Sequence, residues 1–110
     1  MPLSARARIE VYLPDLWTRA SQELLLLFNQ EFTYTFGGAT ILRGLDGSYL
    51  SHLGQPLRDR VNLIYTDTPF SFAEHFALLS ASTDKLRGAV VDALEEEAVL
   101  IVALPIYHAA

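Results

Sequence analysis

Apolar and polar residues alternate from Ala5 to Leu13, with Ala5, Ala7, Ile9, Val11 and Leu13 on one side and Arg6, Arg8, Glu10 and Tyr12 on the other. Successive side chains of a strand point to opposite faces, so this segment reads as a strand buried on one side. Pro14-Asp15 stops it, and Asp15, Thr18 or Ser21 offers a side-chain oxygen to the free amides that open a helix. Trp17, Ala20, Leu24, Leu27, Phe28 and Glu31 then fall at helical spacing, which predicts a helix from Leu16 or Thr18 to Gln30. Phe32-Thr33-Tyr34-Thr35-Phe36 alternates again and reads as an extended approach to Gly37-Gly38, with a frayed helix end as the alternative.

The middle of the chain, residues 36–67, predicts a long antiparallel hairpin. Two β-rich runs, Ala39–Arg43 continuing through Ser48–Ser51 and Leu57–Thr66, flank His52-Leu53-Gly54-Gln55, where the glycine supplies the backbone angle a short turn needs. With Ser51 opposite Pro56, one face carries Leu42, Leu50, Leu57, Val61, Leu63 and Tyr65, and the other Arg43, Tyr49, Arg58, Arg60, Asn62 and Ile64. The oily face is expected against the core. Gly44 and Gly47 around Leu45-Asp46 mark a bulge or bend, which would reverse the faces over part of the first strand.

Ser71-Phe72-Ala73-Glu74 has the form of a capping box, so a second helix starts there. Its stripe of Phe72, Phe76, Leu79, Thr83, Leu86, Val90 and Leu94 would run about 36 Å at the helical rise. A break at Ser80–Thr83 is the alternative, since these hydroxyls can end one helix and cap the next. Glu95–Glu97 places negative charge where a helix C-terminus disfavours it and reads as a solvated turn. Ala98–Leu104 is a last strand, ended by Pro105 at a sheet edge.

The order strand, helix, strand, strand, helix, strand predicts a single α+β domain over residues 1–110. Short right-handed connections give the ferredoxin-like βαββαβ arrangement, a four-stranded antiparallel sheet with two helices on one face. The other face, expected to show Arg8, Glu10, Tyr12, the hairpin arginines and one side of the apolar last strand, is left uncovered. Such a face suits a second subunit.

Composition narrows the functional classes. Apolar residues make up 51% of the 110 residues and charged residues 19%, an apolar surplus that fits a subunit interface. Thirteen acids against eight bases, net charge −5, argue against a nucleic-acid or anionic-membrane partner. The absence of cysteine excludes thiolate nucleophiles, disulfides and thiolate-bound zinc. No apolar run approaches the roughly 20 residues that span a bilayer, and the N-terminus lacks the pattern of a secretory signal, so a cytoplasmic location is expected.

In length and element order the chain resembles the PII-like family of small trimeric ferredoxin-fold proteins. Gly38-Ala39-Thr40-Ile41-Leu42-Arg43-Gly44 is similar to the second-strand motif of one uncharacterised branch of that family. The resemblance implies a regulator that binds small anionic or nucleotide ligands between subunits. Where PII proteins carry a glycine-rich phosphate-contacting loop, this chain has Ser82-Thr83-Asp84-Lys85-Leu86-Arg87-Gly88, so the resemblance carries over the fold and a tendency to oligomerise and no binding residue.

From the residues themselves, Arg43, Arg58 and Arg60 beside Tyr49 form the candidate ligand site, since guanidinium groups next to a phenol can hold a carboxylate or phosphate. A solvated or subunit-contacting face is the plainer reading of the same residues. His52, His75 and His108 show no metal-ligand spacing, and no nucleophile-elbow pattern accompanies any serine. Asp67-Thr68 reads as a helix cap rather than a base. Three functions stay open: a homo-oligomeric, non-enzymatic ligand-binding or regulatory module of PII-like character; a small enzyme of the dimeric α+β barrel type; and a structural oligomer or partner adaptor.

Overall fold

Ala7, Ile9, Val11 and Leu13 are wholly or almost wholly buried, as the alternation of the first segment requires, and they define the inner side of strand β1 (Leu3–Pro14). The computed structural model describes residues 3–15, 18–94 and 100–109, leaving aside the side chains of residues 49, 93 and 94. Helix α1 (Arg19–Phe36) follows, then β2 (Thr40–Leu50), β3 (Pro56–Asp67), α2 (Phe72–Leu94) and β4 (Leu100–Ala109). The strands pair antiparallel in the order β2-β3-β1-β4. Both helices pack on the side of Ile9 and Val11: Leu24, Leu25, Phe28 and Phe32 of α1 and Leu79 and Val90 of α2 join one core with Ile64 of β3. This is the ferredoxin-like α+β arrangement expected from the element order. The Glu95–Glu97 turn lies outside the described residues.

Helix α1 begins at the N-cap Thr18, whose hydroxyl oxygen accepts the Ser21 amide at 3.2 Å. It does not stop at Gln30. Phe28, Phe32 and Phe36 stand four residues apart, with ring centroids 5.9 and 6.1 Å from one to the next, so Phe32–Phe36 is helical rather than extended. Gly37 ends the helix in the left-handed conformation at φ 97°, donating its N–H to the Thr33 carbonyl. Helix α2 runs through Ser80–Thr83 without a break; its irregular residue is His75, at φ −129° and ψ 25°.

The hairpin closes one residue out of the expected register, with Leu50 rather than Ser51 opposite Pro56. The bulge lies between Leu42 and Leu45, where Gly44 takes φ 64° and donates its N–H to Asn62 Oδ1 at 2.9 Å. The expected faces of β3 are inverted. Thr66, Ile64 and Asn62 pair with Ile9, Val11 and Leu13 and share their helix-covered side, so Arg60 and Arg58 lie on that side too. Leu63 and Tyr65 pair with Tyr12 and Glu10 and face away from the helices.

The physical reason is that Asn62 and Thr66 are buried polar residues with partners supplied from distant segments. Asn62 accepts from Gly44 and donates to Asp15 Oδ1 at 3.3 Å, and Thr66 Oγ1 donates to the Gly38 carbonyl at 2.7 Å. A satisfied polar group is tolerated in a core, and nothing in the alternation marks it.

The last strand also departs from expectation, continuing through Pro105 to Ala109, with His108 opposite Ser4 rather than in a tail. Pro105 faces Ala7, whose own N–H and C=O are bonded to Phe70 and Thr68 on the other side, so the missing proline donor costs the ladder nothing.

Candidate functional site

Beyond Asn62 the hairpin outruns the helical layer, and every residue from Pro56 to Arg60 is exposed. A cleft of about 710 Å³ opens there, lined by Asp15, Asp46, Gly47, Ser48, Arg58, Asp59 and Arg60. Asp15 is held at its edge by its amide, which donates to the Arg60 carbonyl at 2.9 Å. Arg60 Nε lies 3.8 Å from Asp15 Oδ2, and its guanidinium passes over Gly44, where an added Cβ would sit 2.5 Å from Nη2. Glycine at that position thus serves both the bulge and the arginine. Arg58 has no ion pair or side-chain hydrogen bond among the described residues.

Of the four residues singled out from sequence, the cleft brings together Arg58 and Arg60. Arg43 is exposed in the bulge and does not line it, and Tyr49 pairs with Leu57 in the ladder while its side chain lies outside the described residues. Three carboxylates share the cleft with the two guanidiniums, so the surface is mixed in charge rather than basic. Among the described residues, Arg58 is its unpaired cation.

On the opposite side of the sheet stands a cluster that sequence reasoning did not assemble. Arg8 on β1 forks onto Asp67 on β3, Nε to Oδ1 at 2.6 Å and Nη2 to Oδ2 at 3.2 Å, and lies 4.3 Å over the Tyr65 ring. His108 Nε2 of β4 approaches Asp67 Oδ2 at 3.6 Å. The hydrogen bond to Asp67 raises the Arg8 pKa above its already high value, against the opposing effect of burial. Close by on the same strand, Tyr12 donates to Glu10 Oε1 at 3.1 Å; burial first, and then that hydrogen bond, push the phenol pKa up. Asp67, expected as a helix cap, is instead the partner of Arg8. Only the β1–β3 register, which sets Arg8 opposite Asp67, reveals that pairing.

A smaller cavity of about 440 Å³ beside this cluster is lined by Arg6, Gly37, Gly38, Thr40, Tyr65, Asp67 and His108, among others. Around the cluster the open face is apolar, with Leu42 and Leu45 of β2, Val61 and Leu63 of β3, and Leu100, Val102, Leu104 and Ile106 of β4 placed there by register. Among the described residues no group of three or more His, Asp or Glu could hold a metal ion, and no helix is long and apolar enough to cross a membrane.

No protein-family model matches the chain, and no curated protein matches it in sequence. Solved structures match it in shape. CutA1 from Oryza sativa superposes with a TM-score of 0.63 at 18% identity, over 98% of this chain and 85% of that one. The divalent cation tolerance protein CutA1 from Thermus thermophilus gives 0.59 at 18% identity, over 94% and 84%. CPII from Thiomonas intermedia, a nitrogen regulatory PII-like protein bound to ADP, AMP and bicarbonate, gives 0.51 at 15% identity, over 98% and 99%. At such identities the likeness is one of fold, and the chain has the ferredoxin-like fold of CutA1 and the PII-like proteins.

Proposed function

We propose that this chain is a homo-oligomeric, non-enzymatic small-ligand-binding or regulatory module of PII-like character, working in the cytoplasm. The observation that carries the reading is the sheet face turned away from the helices. Arg8 is tied to Asp67 and Glu10 to Tyr12, Arg6 has no ion pair or side-chain hydrogen bond among the described residues, and the remaining side chains are largely aliphatic. Paired charges inside an apolar surround suit a surface that a second copy covers. The cleft at the hairpin supports the ligand half of the reading, because Arg58 has no partner there among the described residues and can take a small carboxylate, bicarbonate or phosphate group. The PII-like protein of similar fold is bound to ADP, AMP and bicarbonate, which makes these the first ligands to try.

One experiment covers both halves: thermal unfolding over a range of protein concentrations, with and without ADP, AMP, bicarbonate or acetate. An oligomer gains Tm as concentration rises, and a ligand of the folded state raises it further. The ligand increment is expected to vanish in Arg58→Ala while the concentration dependence stays. A Tm independent of concentration contradicts the oligomer, and an undiminished increment in Arg58→Ala contradicts the site.

A further inference from the structure

A groove of about 360 Å³ runs between the two helices, with walls drawn from α1 and α2 alone. Its floor is the hydrophobic core itself, Leu24, Phe28 and Phe32, and at its lip Leu27 is 57% exposed, so water meets an apolar wall. Two opposite charges stand at the rim. Glu31 belongs to α1 and accepts a bond of 3.4 Å from the Thr35 hydroxyl, and Lys85 belongs to α2. Among the described residues no ion pair joins them, although both line the same groove.

A carboxylate and an ammonium on the two walls of an apolar slot, not neutralising each other, match a molecule carrying the reverse pair. We propose that this groove binds a hydrophobic α-amino acid, its ammonium toward Glu31, its carboxylate toward Lys85 and its side chain on Leu27 and Phe28. The volume lies near the small end of ligand pockets, about 300–1,000 Å³, which suits one free amino acid better than a nucleotide or a peptide. Apolar contact would supply affinity, and the two charges would fix orientation. The helices lie on the covered side of the sheet, so the groove remains open when open faces meet. The inference does not depend on the oligomer or on the Arg58 cleft.

The test is a titration of the full chain with L-leucine and L-phenylalanine, read by amide chemical shifts in nuclear magnetic resonance. Saturable shifts at millimolar ligand or below, confined to α1 and α2, are expected. Phenethylamine and hydrocinnamate, each lacking one charge of phenylalanine, should bind about tenfold more weakly, as should phenylalanine to Glu31→Gln and Lys85→Met. Both substituted residues are exposed, so the variants should keep the wild-type circular dichroism and Tm. Absence of groove shifts at millimolar amino acid would overturn the proposal. So would equal binding of the singly charged analogues or of the neutral N-acetyl-leucinamide, which would mean plain apolar docking, and so would unchanged affinity in both variants.

Discussion

The two faces of one sheet follow different rules. Where the helices cover the sheet, Ala7, Ile9, Val11, Leu13 and Ile64 are buried, and the buried polar residues among them, Asn62 and Thr66, each have a partner within hydrogen-bond distance. On the open face, the side chains are mostly aliphatic, and Arg8, Asp67 and Glu10 are held by neighbours within the sheet, while Arg6 has no such partner among the described residues. Where the helices cover it, the sheet is therefore satisfied within one chain, whereas the open face leaves apolar surface in water and the Arg6 guanidinium without a partner among the described residues. The lesson is that greasiness alone does not tell the helix-covered face from the open one. What separates them is whether the polar groups reach out of the sheet for partners or pair within it.

The largest break in this comparison should come from the covered face. Phe32→Ala removes a ring with no exposure that packs against two others, and should cost about 3–5 kcal/mol in urea unfolding. Asn62→Ala strands the Gly44 amide and releases Asp15, and should cost about 1–3 kcal/mol by the same measurement, loosening the bulge beneath Arg60 as well.

On the open face, Arg8 and Asp67 are 29% and 24% exposed, so a double-mutant cycle between Arg8→Met and Asp67→Asn should give a coupling of about 1 kcal/mol. A coupling indistinguishable from zero would mean the pair does not hold β1 to β3.

The smallest effect is a pH dependence. Because the folded state raises the Tyr12 pKa, the phenol is protonated in both states below about pH 10 and its contribution is whole there. That contribution is lost as pH rises from the unfolded value through the higher native one. Tyr12→Phe should therefore flatten the alkaline fall in stability, and it should remove a tyrosinate absorbance that the folded wild type develops at higher pH than the unfolded chain.

How far these features could be read from sequence depends on how local their causes are. The alternation of Ala7–Leu13 and the helix from Phe72 to Leu94 are set by nearby residues, and the element order, the fold and the Gly44 bulge follow from such patterns, although Phe76 of the expected apolar stripe is 67% exposed. The side of β3 that faces the helices was not legible, because Asn62 and Thr66 are satisfied by Gly44, Asp15 and Gly38, segments whose approach exists only once the chain is folded. The same holds for the candidate site. Arg58 and Arg60 could be picked out as a pair two residues apart on one strand, but Asp15, which shares their cleft, and the link from Arg8 to Asp67 both depend on strand pairing across more than forty positions. Phe32–Phe36 misleads for a different reason: a short run of alternating aromatics also fits helical spacing of four, and packing decides between them.

The most direct test is the mass of the particle in solution at micromolar concentration, by light scattering, for the wild type and for Leu42→Asp. Leu42 lies on the open face opposite Leu63 and is 43% exposed, so the substitution spares the core. A wild-type mass at a multiple of 12.3 kDa, falling to 12.3 kDa in Leu42→Asp, is the expected result. A wild type already at 12.3 kDa, or an assembly that Leu42→Asp leaves intact, would contradict the assignment of this face to a second copy.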